Sequence, residues 1–522
     1  MMDKDVILRS LLLNADSAAD KETQYKLITG MIALIHKGTE VDMDEFELFV
    51  EDTVGNQAVS VRKAKRLLEQ TGAFLPVHGQ WKYNDAFMFH KQAVEWDQFT
   101  ELFTTGNKIN AANPLSMDKE RDSVIKGIGW TIRMSELAVD NNDIGGLPAF
   151  FVCNDVEDSI IGVNVAGTST SDAMSLLCQS SGYLFDCGKG VEEIASCLSF
   201  LLNNTIACQC TVSGWDKGGF FPEEDQPESD HPTVDATCLA VMALCSLYEQ
   251  RHMLEEMLCG KFKAEYKDIE RAVLDGLDFL FRMQRSDGSF GIYKYEDGRE
   301  GASNENCTRM VQSTMGVCKG SGVFDSTERF DLYPACSKII SDTYSYLCSH
   351  TAEAGEYQIW APYFGAKAQD YDTADVIVSA ARVCRSFIPV WWQCEEERNH
   401  IVGYCHDFLR YWHENEEKVF NKVGRYRFNS PTENGFSAGE YFWPSRPDML
   451  AAFTVLQAYN LFGLALTKEE WALIERTVQR TLAIQHPHGH WDNPLAVKTP
   501  FCAVTLAAIE LLQEYRKAKG VG

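Results

Sequence analysis

A chain of 522 residues with 45% hydrophobic and 24% charged side chains can hold two or three domains and a large core, and the composition excludes a disordered polymer. The net charge of −27 repels nucleic acid at long range and suits solubility or a basic partner. The N-terminus, Met1-Met2-Asp3-Lys4-Asp5, has neither the basic region nor the cleavage site of a signal peptide, and no apolar run nears the ~20 residues that span a bilayer, so a soluble, cytoplasmic protein is expected.

In chain order, residues 1–115 read as a separate N-terminal unit. Lys21 to His36 and Asp42 to Val54 have helical character. Val59 to Gln70 is a third helix carrying Arg62, Lys63, Lys65 and Arg66, and Phe74 to Tyr83 reads as a two-stranded hairpin turning at His78-Gly79. From Gly55 to Lys91 six Lys/Arg face two Asp/Glu, a local charge of +4 inside a chain whose remainder carries −31. Helix, helix, basic helix, hairpin is similar to a winged helix. Its basic helix either docks a protein partner, the reading preferred given the acidic remainder, or contacts DNA phosphates.

The second unit, residues 116–522, is built on a repeat. From Ile269 the apolar residues Val273, Leu277 and Leu280 follow at spacings of four, four and three, the stripe of a helix with one buried face. Gln284-xxx-Gly288-x-Phe290 then breaks the helix and plugs the turn, and Val311, Met315 and Cys318 mark a second helix. The pattern recurs at Gln485-xxx-Gly489-x-Trp491, followed by Pro500 to Leu512. It also recurs at Thr351-xxx-Gly355-x-Tyr357, and after Thr205 at Gly218-Gly219-Phe220, followed by Pro232 to Tyr248. Weaker copies run from Trp130 through Gly145-Gly146-Leu147 to Thr170–Leu177, and from Phe408 through Gly424–Tyr426 to Pro447–Leu456. Six helical hairpins result, an all-α unit that could stack as a solenoid or close into a ring.

The glutamine-xxx-glycine-x-aromatic turns resemble those of terpenoid cyclases and protein prenyltransferase β-subunits. Across Asp118 to Tyr515 the resemblance implies a closed (α/α)6 toroid whose inner-helix ends open onto a central cavity. Zinc-dependent prenyl transfer needs Asp-x-Cys and a later His. Here Asp235-Ala236-Thr237 places Thr at the Cys position, Cys238 comes one residue late, and the His position reads Thr499-Pro500-Phe501, so neither a metal nor another cofactor is expected. Protonation-initiated cyclisation needs a carboxylic acid kept neutral in an apolar cavity. Asp370-Tyr371-Asp372-Thr373-Ala374-Asp375 resembles the cyclase acid motif, with Asp372 as the acid beside Asp370, or Tyr371 at the acid position if Thr-Ala is aligned instead. The same residues could simply cap a helix.

Trp215, Phe220, Tyr293, Tyr295, Trp360, Tyr371, Tyr441 and Trp443 are expected at the cavity rim with Asp235, where they would suit a hydrophobic ligand; the alternative is that they plug turns. His486-x-His488-x-His490 reads as a surface turn. Seventeen scattered cysteines, among them Cys238, Cys245, Cys318, Cys384 and Cys502 on apolar stripes, read as buried reduced thiols. The expected function is therefore a binding or regulatory module holding a hydrophobic small molecule, a peptide or a partner protein. The alternative is a terpene cyclase using Asp372.

Overall fold

The computed structural model describes residues 118–140, 147–154, 159–165, 167–222, 231–300, 305–325, 327–362, 364, 367–393, 397–420, 422, 424–432, 435–491 and 502–521, with scattered positions between 23 and 83. Near the N-terminus, β1 (Val41–Asp42), β2 (Phe74–Val77) and β3 (Gln80–Tyr83) form an antiparallel sheet in the order β1-β3-β2. Val77 faces Gln80 across the β2/β3 pair, which makes the hairpin expected at residues 78–79. Leu27, Met31, Phe46, Phe49, Val50, Ala64 and Leu67, all at helical positions, are buried. Lys63 and Lys65 are half-buried on the third helical stretch, whereas Arg62 and Arg66 lie outside the described residues.

The remainder is a ring of helical hairpins. The outer helices are α1 (Lys119–Asp140), α3 (Val191–Ala207), α5 (Tyr266–Met283), α7 (Leu332–Ser349), α9 (Arg398–Glu414) and α11 (Lys468–Ala483). The inner helices are α2 (Gly167–Gln179), α4 (Val234–Glu249), α6 (Glu305–Gly320), α8 (Thr373–Ser386), α10 (Pro447–Phe462) and α12 (Cys502–Ala518). Each inner helix packs on the next, α2 on α4, α6, α8, α10 and α12 in turn, and α12 packs back on α2. The chain thus closes the (α/α)6 toroid rather than an open solenoid.

Burial separates the two layers. On α5 a single face is covered, by Ile269, Val273, Leu277 and Leu280, as their spacing predicts for an outer helix. On α4 burial runs all round, from Val234 through Cys238 and Val241 to Cys245 and Tyr248, because neighbours touch it on every side. Cys238, Cys245, Cys318, Cys384 and Cys502 are buried on inner helices as unbridged thiols.

The repeated turn has a physical cause. In four hairpins a threonine hydroxyl on the inner helix accepts the N–H of the turn-plugging residue. Leu147 donates to Thr170 at 2.8 Å, Phe220 to Thr237 at 2.9 Å, Phe290 to Thr308 at 3.1 Å and Trp491 to Thr505 at 3.0 Å. The turn glutamine ties its hairpin to the next outer helix: Gln284 Nε2 donates to Asp342 Oδ2 at 3.0 Å, and Gln485 Nε2 to the Ser123 carbonyl at 2.9 Å. The second contact joins the last hairpin to the first and seals the ring.

Three antiparallel hairpins sit in the loops where the sequence reading had none: β4 (Pro148–Asn154) with β5 (Ser159–Val165), β6 (Ala352–Ala354) with β7 (Tyr357–Ile359), and β8 (Gly424–Thr432) with β9 (Gly435–Ser445). The longer pairs carry β-branched and aromatic runs such as Phe150-Phe151-Val152 and Ile160-Ile161, which favour the extended chain. No described helix is long and apolar enough to cross a membrane.

Candidate functional site

The inner helices surround a cavity of about 360 Å³, the lumen of the toroid, and all six line it. Its wall is polar. Asp172 comes from α2, Asp235 from α4, Arg309 from α6, Arg382 and Arg385 from α8, Gln457 from α10 and Glu510 from α12, with Ser169, Ser175, Ser246 and Ser313 between them.

These charges are paired unevenly. Arg385 Nη2 donates to Glu510 Oε1 at 3.0 Å, an ion pair that reaches past α10 from α8 to α12. Arg309 Nε lies 3.1 Å from Glu305 Oε1 one turn earlier on α6, with both side chains buried. The N–H of Ala236 donates to Asp235 Oδ1 at 2.9 Å, whereas Asp172 accepts no hydrogen bond from the described residues.

Burial, and then the like charge of Glu510, push the Asp172 carboxyl up to about 7 against the pull of Arg385 and Arg382. Burial also pushes Glu305 up to about 7, opposed first by Arg309. The Asp235 carboxyl is likewise raised by burial, opposed by its bonds with Thr233 and Ala236. Of the carboxyls that line the lumen, Asp172 is therefore the one pushed up to about 7, while Glu305 sits behind the wall on α6.

Of the residues expected at the cavity, Asp235 lines it. Phe220 does not; it is a fully buried turn plug. Trp215 donates Nε1–H to the Lys294 carbonyl at 2.6 Å and stays outside the lumen wall. Tyr293 and Tyr295 stand edge to face at 5.0 Å in a separate cluster, where Tyr293 donates to Asp216 and stacks on His231 at 4.4 Å. Trp360 is fully buried in the outer layer, donating to the Leu347 carbonyl at 2.9 Å and packed against Tyr404. Tyr371 is half-buried against the core beside the lumen-remote end of the acid motif. Tyr441 and Trp443 pair with Phe428 and Tyr426 on the β8/β9 hairpin, and their side chains lie outside the described residues. Described aromatics thus seal joints between hairpins, because a turn between layers has room for a ring and a wall of close-packed inner helices does not.

The acid motif is also displaced from the lumen. Asp370 and Asp372 are exposed, Asp372 at the N-cap position of α8, while the lumen residues of that helix, Arg382 and Arg385, come more than two turns later. An exposed carboxylate keeps its water and lacks the desolvation that alkene protonation requires. At the zinc position, the Thr237 hydroxyl holds the Phe220 turn, and burial pushes the Cys238 thiol up to about 12, away from the thiolate a metal needs. His490 is fully buried, stacked on His486 at 4.3 Å and near Trp130, whereas His486 and His488 are half-buried around the exposed Pro487, so the run is a turn whose last histidine plugs the interior.

The sequence reading missed Asp172, Arg309, Arg382, Arg385 and Glu510. For Arg382 and Glu510 the signal is a lone charge inside an apolar stretch, Ala380-Ala381-Arg382-Val383 and Ala508-Ile509-Glu510-Leu511; Asp172 and Arg309 follow polar runs, Thr168-Ser169-Thr170-Ser171 and Glu305-Asn306-Cys307-Thr308, and carry no such mark.

No protein-family model matches the sequence, and no curated protein matches it. Among solved structures, the chain is similar to an α-amylase from Clostridium perfringens at 10% identity, covering 74% of this chain and 98% of that one, with a TM-score of 0.44. It is also similar to a family 76 glycoside hydrolase, a mannosidase, from Bacteroides thetaiotaomicron, at 8% identity over 77% of this chain and 99% of that one, with a TM-score of 0.42. A family 76 α-mannanase from the same organism aligns at 11% identity over 68% of this chain and 85% of that one, with a TM-score of 0.40.

Proposed function

We propose that the toroid is a binding module whose lumen takes a small polar ligand. The supporting observation is the wall itself: carboxyl, guanidinium and carboxamide groups from all six inner helices converge on one cavity of ligand size. This replaces the hydrophobic ligand that an aromatic wall would suit. The N-terminal unit of residues 1–115, with its β1-β3-β2 sheet and hairpin, serves in this reading as a winged-helix-like element docking a partner protein.

Native mass spectrometry of freshly purified protein, set against its denatured mass, tests the module. A bound mass of a few hundred daltons, lost on Arg385→Ala, supports it. An empty protein whose melting temperature no polar metabolite raises refutes it. For the N-terminal unit, a salt-dependent gel shift with random duplex at low salt would replace the docking role with DNA binding.

A catalytic reading of the same lumen is favoured by one observation, the juxtaposition of Asp172, whose carboxyl is pushed up to about 7, with Glu510, which is paired to Arg385 at 3.0 Å. Such a pair suits acid–base work on a polar substrate. The cyclase alternative predicts product from C15, C20 or C30 isoprenoids that vanishes in Asp372→Asn; with Asp372 exposed, no product is expected.

A further inference from the structure

The corner between α6 and α7 holds a phenylalanine out in water. Phe330 is 84% exposed, more than any other large hydrophobic side chain among the described residues. Phe324, on the same loop, packs half-buried against the core, so the loop covers one of its two phenylalanines and presents the other. The chain is pinned on both sides of Phe330. Before it, the Arg329 guanidinium forks onto Asp278 of α5, donating to Oδ2 at 3.2 Å and to Oδ1 at 3.1 Å. The same guanidinium donates to both carboxylate oxygens of Asp331 at 3.0 Å. After it, Leu332 is fully buried and donates its N–H to the Arg329 carbonyl at 3.2 Å, while the Phe330 N–H donates to the Glu328 carbonyl at 3.0 Å.

A side chain on so braced a turn loses little freedom when it is covered, which is the property of a preorganised contact residue. The Arg329 fork joins α5 to the start of α7, and a polar residue at position 330 would serve that joint equally, so the phenylalanine itself has no structural role. In the first turn of α7 Tyr333 is exposed as well, with Lys319 Nζ 3.9 Å from its ring centroid. Around the two rings Asp278, Asp325, Glu328 and Asp331 outnumber Arg329 and Lys319, and Lys338 is taken by Asp342 at 2.6 Å.

We propose that this corner docks a basic amphipathic helix of a partner protein, whose apolar stripe covers Phe330 and Tyr333 and whose flanking Lys and Arg side chains meet Asp325, Glu328 and Asp331. The occupant follows from charge: aromatic rings inside a carboxylate rim attract an apolar stripe edged by cations and repel one edged by acids. Exposed, braced aromatics are the anchors on which such contacts depend. The corner is separate from the lumen and does not rest on what the lumen binds.

The test is fluorescence anisotropy of the full chain with three labelled peptides: an amphipathic helix of leucine and lysine, its leucine–glutamate counterpart, and oligolysine. The leucine–lysine helix should bind saturably, with an affinity that falls as salt rises, and the glutamate counterpart should not bind. Phe330→Ala should weaken binding by about tenfold or more, the scale of one buried aromatic anchor. Glu328→Lys, which reverses a rim charge, should slow association. Both residues are exposed, so the unfolding transition of each variant should stay at the wild-type value, which separates a lost contact from a lost fold. Hydrogen exchange of the wild-type chain with the leucine–lysine helix should show protection centred on residues 327–338. No binding of that helix overturns the proposal, as does unchanged affinity in Phe330→Ala or protection confined to another part of the chain. Equal binding of oligolysine, which reduces the effect to net charge, or of the glutamate counterpart overturns it too.

Discussion

The seam that closes the ring can be tested by two alanine substitutions at equivalent turn glycines. Gly489 has φ +102°, and a Cβ built there would sit 2.3 Å from the carbonyl oxygen of Lys126 on α1. Gly288 has φ +85°, and its Cβ would meet nothing closer than Asp342 Cβ at 3.4 Å. Both alanines incur the strain of a left-handed backbone, roughly 1–3 kcal/mol. Only Gly489→Ala adds an overlap of about 1 Å with main chain, which α1 must relieve by moving outward, an overpacking cost of about 1–3 kcal/mol. That movement also stretches the 2.9 Å bond from Gln485 Nε2 to the Ser123 carbonyl, worth about 1 kcal/mol. Gly489→Ala should therefore destabilise by about 2–4 kcal/mol more than Gly288→Ala in urea unfolding followed by far-ultraviolet circular dichroism, with amide exchange accelerated in α1. Equal loss in both, or greater loss at Gly288, would refute the account of the turn glycine as a close-approach site between hairpins.

Thr505→Val keeps the shape of the side chain but leaves the buried Trp491 N–H without its 3.0 Å acceptor; a loss of about 1–3 kcal/mol is expected from thermal or urea unfolding. Asp172 has a folded pKa raised from 3.8 to about 7, so the folded chain holds more protons than the unfolded one between those values. The stability this contributes is complete below the unfolded pKa and lost as pH rises through about 7, by at most about 4 kcal/mol. Asp172→Asn, neutral throughout, should accordingly gain on the wild type between pH 5 and pH 8, and parallel pH profiles would contradict the assignment. Asp372→Asn changes an exposed residue without a side-chain cap bond, so melting temperature and ligand binding should both stay at wild-type values.

The hairpins were legible in the sequence because their information is local. Glutamine, glycine and a plug aromatic fall within seven residues, and the apolar stripes around Ile269 and Val311 carry the helical period. Where an insertion separates the parts, local reading slips. In the second hairpin Thr205 stood in the glutamine's place by spacing, yet the working residue is Gln209, whose Nε2 donates to the Gly218 carbonyl at 3.1 Å and to that of Ala272 at 2.8 Å. The aromatics misled for a related reason: Phe220 and Trp360 mark the turn ends and the outer layer, and a one-dimensional pattern cannot say which side of a turn faces the lumen. The lumen itself was not legible, since Asp172 and Glu510 stand 338 residues apart and meet only when the ring closes.

What that lumen contains argues against a purely structural role for it. Packing alone would favour aliphatic side chains at these positions, because replacing buried ion pairs by well-packed hydrophobic residues is often neutral or stabilising by about 1–4 kcal/mol. The neighbouring positions already show the aliphatic solution, with Leu176, Leu239, Leu450 and Leu506 on the same wall. Asp172 is one such member, a carboxyl that burial lifts and to which no described group donates. The other levels of the sequence agree with the fold: amphipathic outer helices, a threonine latch in four turns, and the Thr467/Glu470 capping box that starts α11. A local violation inside an otherwise consistent scaffold is where function resides in folded proteins. The residues that weaken the ring are thus the ones that equip it, and Asp172→Asn should stabilise the empty protein at high pH.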